Sequence, residues 1–281
     1  MRNIYTKMLY TSYFFGKKFI GNGIYQEKKH DIPSGIYSSK NQNEMISFRY
    51  EITHQLEDRD IRQVFLLDAE GKKFWRNQNI FLKDPPKGNH TSPTPRYISL
   101  NLEKIHQTYL FSPTENSDLS PPWYGMMSLE RILENIQKNF RFYSHTATEI
   151  SSQQTVIPVY HLKGEWKKEI LHDILTLRHK KSVTLNSFSD FLKNVPEEIP
   201  STISIYFGQK DFFPYQIEFY RPDAEGNEVI LFQLKFNEVN FNVKFQANEF
   251  KFQLPPHALE EDETDFFLQK RAAKMENSHD F

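Results

Sequence analysis

Long stretches of this chain alternate apolar and polar side chains with a period of two. The clearest stretch has its apolar positions at Phe213, Tyr215, Ile217 and Phe219. Gln216 and Glu218 occupy the other side, and turn-forming residues at 208–211 and 223–226 flank the stretch. A strand with one buried face requires this alternation. Residues 203–242 are therefore predicted to form three consecutive antiparallel strands joined by hairpins.

The same alternation and the turn residues between the runs predict strands along most of the chain. Upstream of the three strands in 203–242, the predicted strands cover residues 19–29, 44–54, 61–67, 73–81, 96–102, 141–150 and 155–166. Short strands joined by turns are typical of an antiparallel sheet rather than of βαβ units.

Two segments have helical rather than strand periodicity. Ser128 can cap a helix whose apolar stripe is Leu129, Ile132, Leu133, Ile136 and Phe140. Residues 167–177 are predicted to form a second helix. An amphipathic helix must bury its stripe, so the predicted fold class is α+β, with a twisted antiparallel sheet and helices against its concave face.

Composition narrows the classes of function. Aromatic residues make up 15% of the 281 residues, which suits strands around an apolar interior. The formal net charge of -1 argues against a nucleic-acid surface, and the lack of cysteine excludes disulfides and thiolate chemistry. No stretch approaches the ~20 apolar residues of a membrane-spanning helix.

We predict one domain over residues 19–268, followed by a polar tail at 269–281. Residues 1–18 have two interpretations. They can form a partly buried helix or strand that leads into the domain, or a degenerate export signal. The signal interpretation is weakened because the apolar run at 8–15 contains Thr11 and Ser12, and no small-residue cleavage site follows.

Few polar residues suggest chemistry. Asp211 precedes a proline turn and is predicted to close a hairpin, and His161 lacks partners at metal-ligand spacing. The acidic run at 260–265 lacks the order of a calcium loop and suits a solvated tail or a helix start. The basic run at 178–181 suits an exposed loop. We therefore predict no enzyme, no catalytic residue, no metal site and no cofactor.

Three local motifs occur in order along the second half of the chain. Val159–Lys167 reads as a strand followed by Gly, Trp and Lys before a helix. Residues 205–215 read Ile-Tyr-Phe-Gly-Gln-Lys-Asp-Phe-Phe-Pro-Tyr, and residues 236–242 and 250–256 are followed by Asp262 and Thr264. Together these motifs resemble the LolA/LolB-like lipoprotein-carrier superfamily, and specifically its mostly uncharacterised LolA-like members from planctomycete-type bacteria. The second motif is similar to a hairpin of the family, and the third resembles its carboxyl-terminal ending.

The resemblance implies an unclosed half-barrel in the periplasm or cell envelope, with an apolar cavity that holds the acyl chain of a lipid or lipoprotein. Candidate cavity residues are Phe48, Tyr50, Phe65, Trp75, Phe232 and Phe236. These side chains could equally form a filled core. The alternative function is therefore an interaction or structural module of the envelope, with a protein partner and no lipid.

A cavity for lipid must open, so the helix bearing Leu129 is also a candidate lid. We expect apolar contacts with few polar ties to hold it. The preceding Gly125 would allow backbone rotation, and Met126 and Met127 would adapt to a changing apolar surface.

Overall fold

The computed structural model describes residues 3–14, 17–30, 45–68, 73–83, 95–101, 104, 128–152, 155–172, 199–223 and 225–269. Within these residues the chain is mostly β. Its elements are β1 (Ile4–Phe14), β2 (Lys17–His30), β3 (Met45–Gln55), β4 (Arg59–Asp68), β5 (Lys73–Leu82), β6 (Arg96–Asn101), α1 (Leu129–Asn139), β7 (Phe140–Ser152), β8 (Thr155–Trp166), β9 (Thr202–Gly208), β10 (Pro214–Pro222), β11 (Glu228–Phe241) and β12 (Glu260–Asp262). Residues 168–172 and 264–269 are also helical.

All the described strands belong to one sheet, in the order β12-β6-β5-β4-β3-β2-β1-β11-β10-β9-β8-β7. Neighbouring strands are antiparallel except β12, which runs parallel to β6. The predicted antiparallel sheet and its three consecutive strands β9, β10 and β11 are confirmed. The sheet is unclosed, because β12 and β7 lie at its two ends, and the expected half-barrel fits this arrangement.

The first strand joins two meanders. Strands β1 to β6 follow one another through the sheet, as do β7 to β11, and β1 pairs with β11 between them. Met8 on β1 lies opposite Gly23 on one side and Phe236 on the other. Of the interpretations of the amino-terminal segment, residues 4–14 therefore adopt the strand.

One face of the sheet carries the main hydrophobic core, and we call it the core face. Cross-strand partners share a face, so the register groups Tyr25 with Tyr50, and Leu234 with Ile217. All four side chains are almost completely buried. Each large apolar side chain that is removed from water contributes about 1.5–3 kcal/mol before ordering costs are subtracted.

Helix α1 packs on this core. Leu129, Ile132 and Ile136 are buried members of the same cluster, and Leu133 packs against it. The amphipathic pattern therefore predicted the helix and its buried stripe. Phe140 is the first residue of β7 rather than the last of the helix, because it pairs with Trp166 on β8. Of the second predicted helix, residues 167–172 lie within the described part of the chain, and 168–172 are helical.

Candidate functional site

Five of the six candidate cavity residues lie on the core face. Tyr50 pairs with Phe65, Phe48 lies two residues before Tyr50, and Phe232 and Phe236 belong to the core cluster. Ring contacts run from Phe48 through Tyr50 and Tyr25 to Phe236. Centroid distances are 5.7 Å for Phe48–Tyr50, 4.6 Å for Tyr25–Tyr50 and 6.0 Å for Tyr25–Phe236.

Trp75 lies on the opposite face. Phe65 pairs with Arg76, whereas Trp75 pairs with Leu66, so Trp75 and Phe65 point to different sides of the sheet. The Trp75 ring stacks on Phe252 at 4.6 Å. Its placement among the cavity residues is therefore corrected: Trp75 belongs to a smaller apolar cluster formed with the carboxyl-terminal segment.

The contributions of β1 and β2 to the core face were not predicted from the sequence. Tyr25 is fully buried between Tyr50 and Phe236, and Tyr10 packs edge-on against Phe232 with centroids 5.3 Å apart. The alternation of Ile4, Thr6, Met8 and Tyr10 was the available signal. Gly23 permits β2 and β3 to approach closely, since a Cβ there would lie 1.8 Å from the Glu51 carbonyl oxygen.

A buried carboxyl group holds the amino end of α1. The backbone N–H of Leu129 lies 2.9 Å from the Tyr25 hydroxyl and 3.2 Å from Glu27 Oε2. The Tyr25 hydroxyl in turn donates to Glu27, which is 2% exposed. At the surface of this contact, Lys29 Nζ lies 3.3 Å from Glu130 Oε2. These bonds correct the expectation that α1 has few polar ties.

Burial raises the pKa of the Glu27 carboxyl above its ordinary value. The hydrogen bonds from Tyr25 and Leu129, and the charge of Lys29, oppose this rise. Burial also raises the pKa of Tyr25 well above its usual range. The tie therefore consists of a neutral phenol and a carboxyl group that binds protons more readily than it would in water.

The carboxyl end of α1 continues directly into β7 and is held differently. The backbone N–H of Lys167 donates to the Asn139 carbonyl at 2.9 Å. The Lys167 ammonium donates to the carbonyls of Gln137 and Lys138 at 3.1 and 2.7 Å. A cation at the last carbonyls of a helix is favourable. Both ends of α1 are thus fixed, and Glu27 titrates at the amino end.

A polar cluster on the face opposite the core spans β8 to β11. Glu218 is 3% exposed and accepts hydrogen bonds from Gln216 Nε2 at 2.7 Å, from Gln233 Nε2 at 2.6 Å and from the Tyr220 hydroxyl. Burial and the charge of Glu218 raise the pKa of Tyr206 to about 12. In the sequence, each residue of this cluster lies on the side of its strand opposite the apolar positions. The alternation does not predict that these side chains contact one another. The bonds stabilise the strand register.

The polar residues that the sequence analysis considered for chemistry lie in hydrogen bonds and secondary structure of the fold. Asp211 accepts from the Phe213 N–H and the Tyr215 hydroxyl, both at 2.9 Å, and closes the predicted turn. His161 lies 3.0 Å from Ser204 Oγ. In the acidic run, residues 260–262 form β12 and 264–269 are helical, which matches the helix-start interpretation.

Other predictions depend partly or wholly on residues that are not described. The basic run at 178–181 and the expected hinge at Gly125 lie outside the described residues. In the described part of the chain, no group of three or more His, Asp or Glu side chains is placed to hold a metal ion. None of the helices described there combines the length and apolar character needed to cross a membrane.

No protein-family model matches the chain, and no curated protein matches its sequence. Several solved structures have slight likenesses to it. A DUF1329 family protein from Desulfovibrio piger has 11% identity and a TM-score of 0.30, with 89% of each chain covered. An outer membrane lipoprotein-sorting protein domain from Vibrio parahaemolyticus has 9% identity and a TM-score of 0.22, again with 89% of each chain covered.

A β-barrel-like DUF1849 protein from Brucella abortus has 11% identity and a TM-score of 0.22, covering 85% of this chain and 97% of its own. At TM-scores this low, the likenesses support no inference about what the chain does. The candidate site therefore depends on its own geometry.

Proposed function

We propose that this protein is a non-enzymatic binding protein of the cell envelope that holds the acyl chain of a lipid or lipoprotein between the core face and α1. The observation that carries the proposal is the layer of aromatic and aliphatic side chains on an unclosed sheet, against which α1 and the helical residues 168–172 pack. Ligand sites are usually concave and apolar, with few polar groups.

The ligand would enter by displacing α1. Leu129, Ile132 and Ile136 are at most 5% exposed, so an acyl chain that binds beneath α1 must displace these side chains. Aliphatic contacts are non-directional, and an acyl chain can replace them. The hydrogen bonds from the Leu129 N–H to Tyr25 and Glu27 would have to open at the same time. The helix would then act as a lid that covers either its own core or the ligand.

A second function has one observation in its favour. Tyr25, Tyr50 and Ile52 are 0% exposed, which is what a filled core shows. An interaction or structural module of the envelope would use the same fold with this interior permanently closed. The two functions differ in whether the core face takes up an apolar ligand.

Uptake of a fluorescent fatty-acid probe by the purified protein tests the proposal. Phe232→Asp places a charge on the core face, whereas Trp75→Asp places the same charge on the opposite face. The two wild-type side chains are similarly buried, at 6% and 8% exposure, so the variants are matched for disruption. We expect Phe232→Asp to lose probe binding and Trp75→Asp to retain it.

Circular dichroism establishes that each variant is folded before binding is compared. If Phe232→Asp does not fold, Phe65→Asp is the substitute, because Phe65 lies on the same face and is only partly buried. A folded wild-type protein that takes up no probe would contradict the proposal and favour the permanently closed module.

A further inference from the structure

The turn between β9 and β10 presents a bulky aromatic side chain to solvent. Phe212 is 68% exposed and has a φ of 54°. A left-handed backbone is rare for residues other than glycine and is a genuine outlier for a bulky side chain. Phe212 therefore combines a strained backbone conformation with an exposed apolar side chain.

Surrounding hydrogen bonds hold this conformation in place. The Phe212 N–H donates to the Gly208 carbonyl at 2.9 Å, and the Gly208 N–H donates to the Phe213 carbonyl at 2.9 Å. Gln209 fastens the turn to the neighbouring strand, because its N–H donates to the Pro158 carbonyl at 3.0 Å. Strain persists where the surrounding structure over-determines it, and such positions cluster at functional sites.

Phe212 belongs to an exposed apolar group at one corner of the sheet. Its ring stacks on Tyr160, with centroids 6.4 Å apart and planes at 18°. Tyr160 shares a face of β8 with Pro158 and Val156, and all three are exposed. We call Val156, Pro158, Tyr160 and Phe212 the aromatic corner.

The aromatic corner is continuous with the core face. Tyr160 pairs with Phe207, which packs against the core cluster. Phe213, next to Phe212 in sequence, is 4% exposed and packs against Phe236 with centroids 5.5 Å apart. The corner therefore extends the buried apolar layer to the surface at the β7 end of the sheet.

The small size of the corner favours a bilayer over a protein partner. Stable protein interfaces take about 20–30 residues a side, far more than these four. A bilayer surface needs only a few side chains that insert, and aromatic rings are favoured at the headgroup boundary. Lys210, exposed in the same turn, can meet lipid phosphates. Glu149, opposite Pro158, limits insertion to a shallow depth.

We propose that the aromatic corner docks the protein on anionic lipid bilayers, with the rings of Phe212 and Tyr160 at the boundary between headgroups and acyl chains. Lys210 contacts lipid phosphates in this arrangement. The four residues of the aromatic corner are exposed and are not among the candidate cavity residues. Docking therefore does not require that the core face hold an acyl chain.

Flotation with vesicles of phosphatidylcholine, with and without phosphatidylglycerol, tests the docking. The main variant is Phe212→Asn, because asparagine tolerates a left-handed backbone and keeps the turn unstrained. The variant loses a phenyl group that the bilayer would bury, so we expect it to bind vesicles roughly tenfold to hundredfold more weakly. Lys210→Gln is expected to remove the preference for phosphatidylglycerol.

Leu259→Asn is the control, since Leu259 is 83% exposed beside β12, at the other end of the sheet. It should float like the wild type. Phe212→Asn should melt no lower than the wild type, and without vesicles it should take up the fatty-acid probe normally. Flotation therefore tests the docking proposal, and probe uptake separately tests the proposal of acyl-chain binding.

Two results would overturn the docking proposal. One is a wild-type protein that floats with neither kind of vesicle. The other is a Phe212→Asn variant that floats as well as the wild type. Self-association that depends on Phe212, without vesicle binding, would assign the corner to a protein contact instead.

Discussion

At the scale of single residues, Glu27 couples the contact between α1 and the sheet to pH. Tyr25, Tyr50, Lys29, Glu130 and the Leu129 N–H face or surround its carboxyl group. Because its pKa is raised, the folded state favours the protonated form. The stability that this preference contributes is present at acidic pH and is lost as pH rises through the raised pKa.

We therefore expect Glu27→Gln to reduce the pH dependence of stability. The glutamine side chain would retain an oxygen that accepts from the Tyr25 hydroxyl but could not ionise. Urea midpoints are measured from about pH 4 to about pH 8, and the midpoint of the wild type should fall relative to that of the variant as pH rises. Glu134→Gln, on an exposed position of α1, should keep the wild-type slope. An unchanged slope in Glu27→Gln would contradict this account.

Glu27 also shows what a pattern of alternation leaves out. It shares the buried side of β2 with Tyr25, so the sequence shows only a charge among apolar positions. Its partner is the helix amino end at Leu129, 102 residues away in the chain. Trp75 was misplaced for a related reason. In β5 both sides of the alternation carry an aromatic residue, Phe74 and Trp75, and a one-residue change of register exchanges the faces.

At the scale of elements, periodicity predicted what local sequence determines. Strands β9 to β11 and helix α1 were recognised because their apolar positions repeat with a single period. The sequence did not decide between a strand, a helix and an export signal for the β1 segment, because Thr6, Thr11 and Ser12 interrupt its apolar run. Its place between β2 and β11 depends on pairing across more than 200 residues, which no local pattern reports.

Helix α1 is expected to move about its carboxyl end if it acts as a lid. That end continues into β7 and is tied by Lys167, whereas the amino end is released when the Glu27 contact opens. Because the chain has no cysteine, Lys29→Cys with Glu130→Cys can be joined by a reducible dithiol-reactive linker. We expect the linked protein to stop exchanging the fatty-acid probe and to resume after reduction.

A linked pair within the sheet is the matched control for this experiment. Lys163 and Glu228 form an ion pair at 2.7 Å between β8 and β11, comparable to the 3.3 Å of Lys29 and Glu130. Their cysteine variants, joined by the same linker, should exchange probe normally. Unchanged exchange in the protein linked at 29 and 130 would mean that α1 is scaffold and that ligand enters elsewhere.

At the scale of the whole molecule, the carboxyl-terminal segment connects distant parts of the sheet. After β11 the chain passes to the far side of β6, where β12 adds the last described strand. On the way Phe252 packs against Trp75 and Tyr97, with centroids 4.6 and 5.7 Å apart. Ion pairs, such as Lys73 with Glu260 at 3.2 Å, lie at the surface and contribute little.

Phe252→Ala should therefore loosen the β6–β12 end of the sheet without opening the core face. Full burial makes a Phe→Ala substitution cost about 3–5 kcal/mol, and partial exposure of Phe252 reduces the expected loss to roughly 1–3 kcal/mol. Hydrogen exchange should show lower protection in β6 and β12 and unchanged protection in β9 to β11. Probe uptake should remain normal, because Phe252 packs on the face opposite Phe236. If protection fell equally in β9 to β11, the two faces would unfold as one unit, and the segment would support the entire sheet rather than its edge.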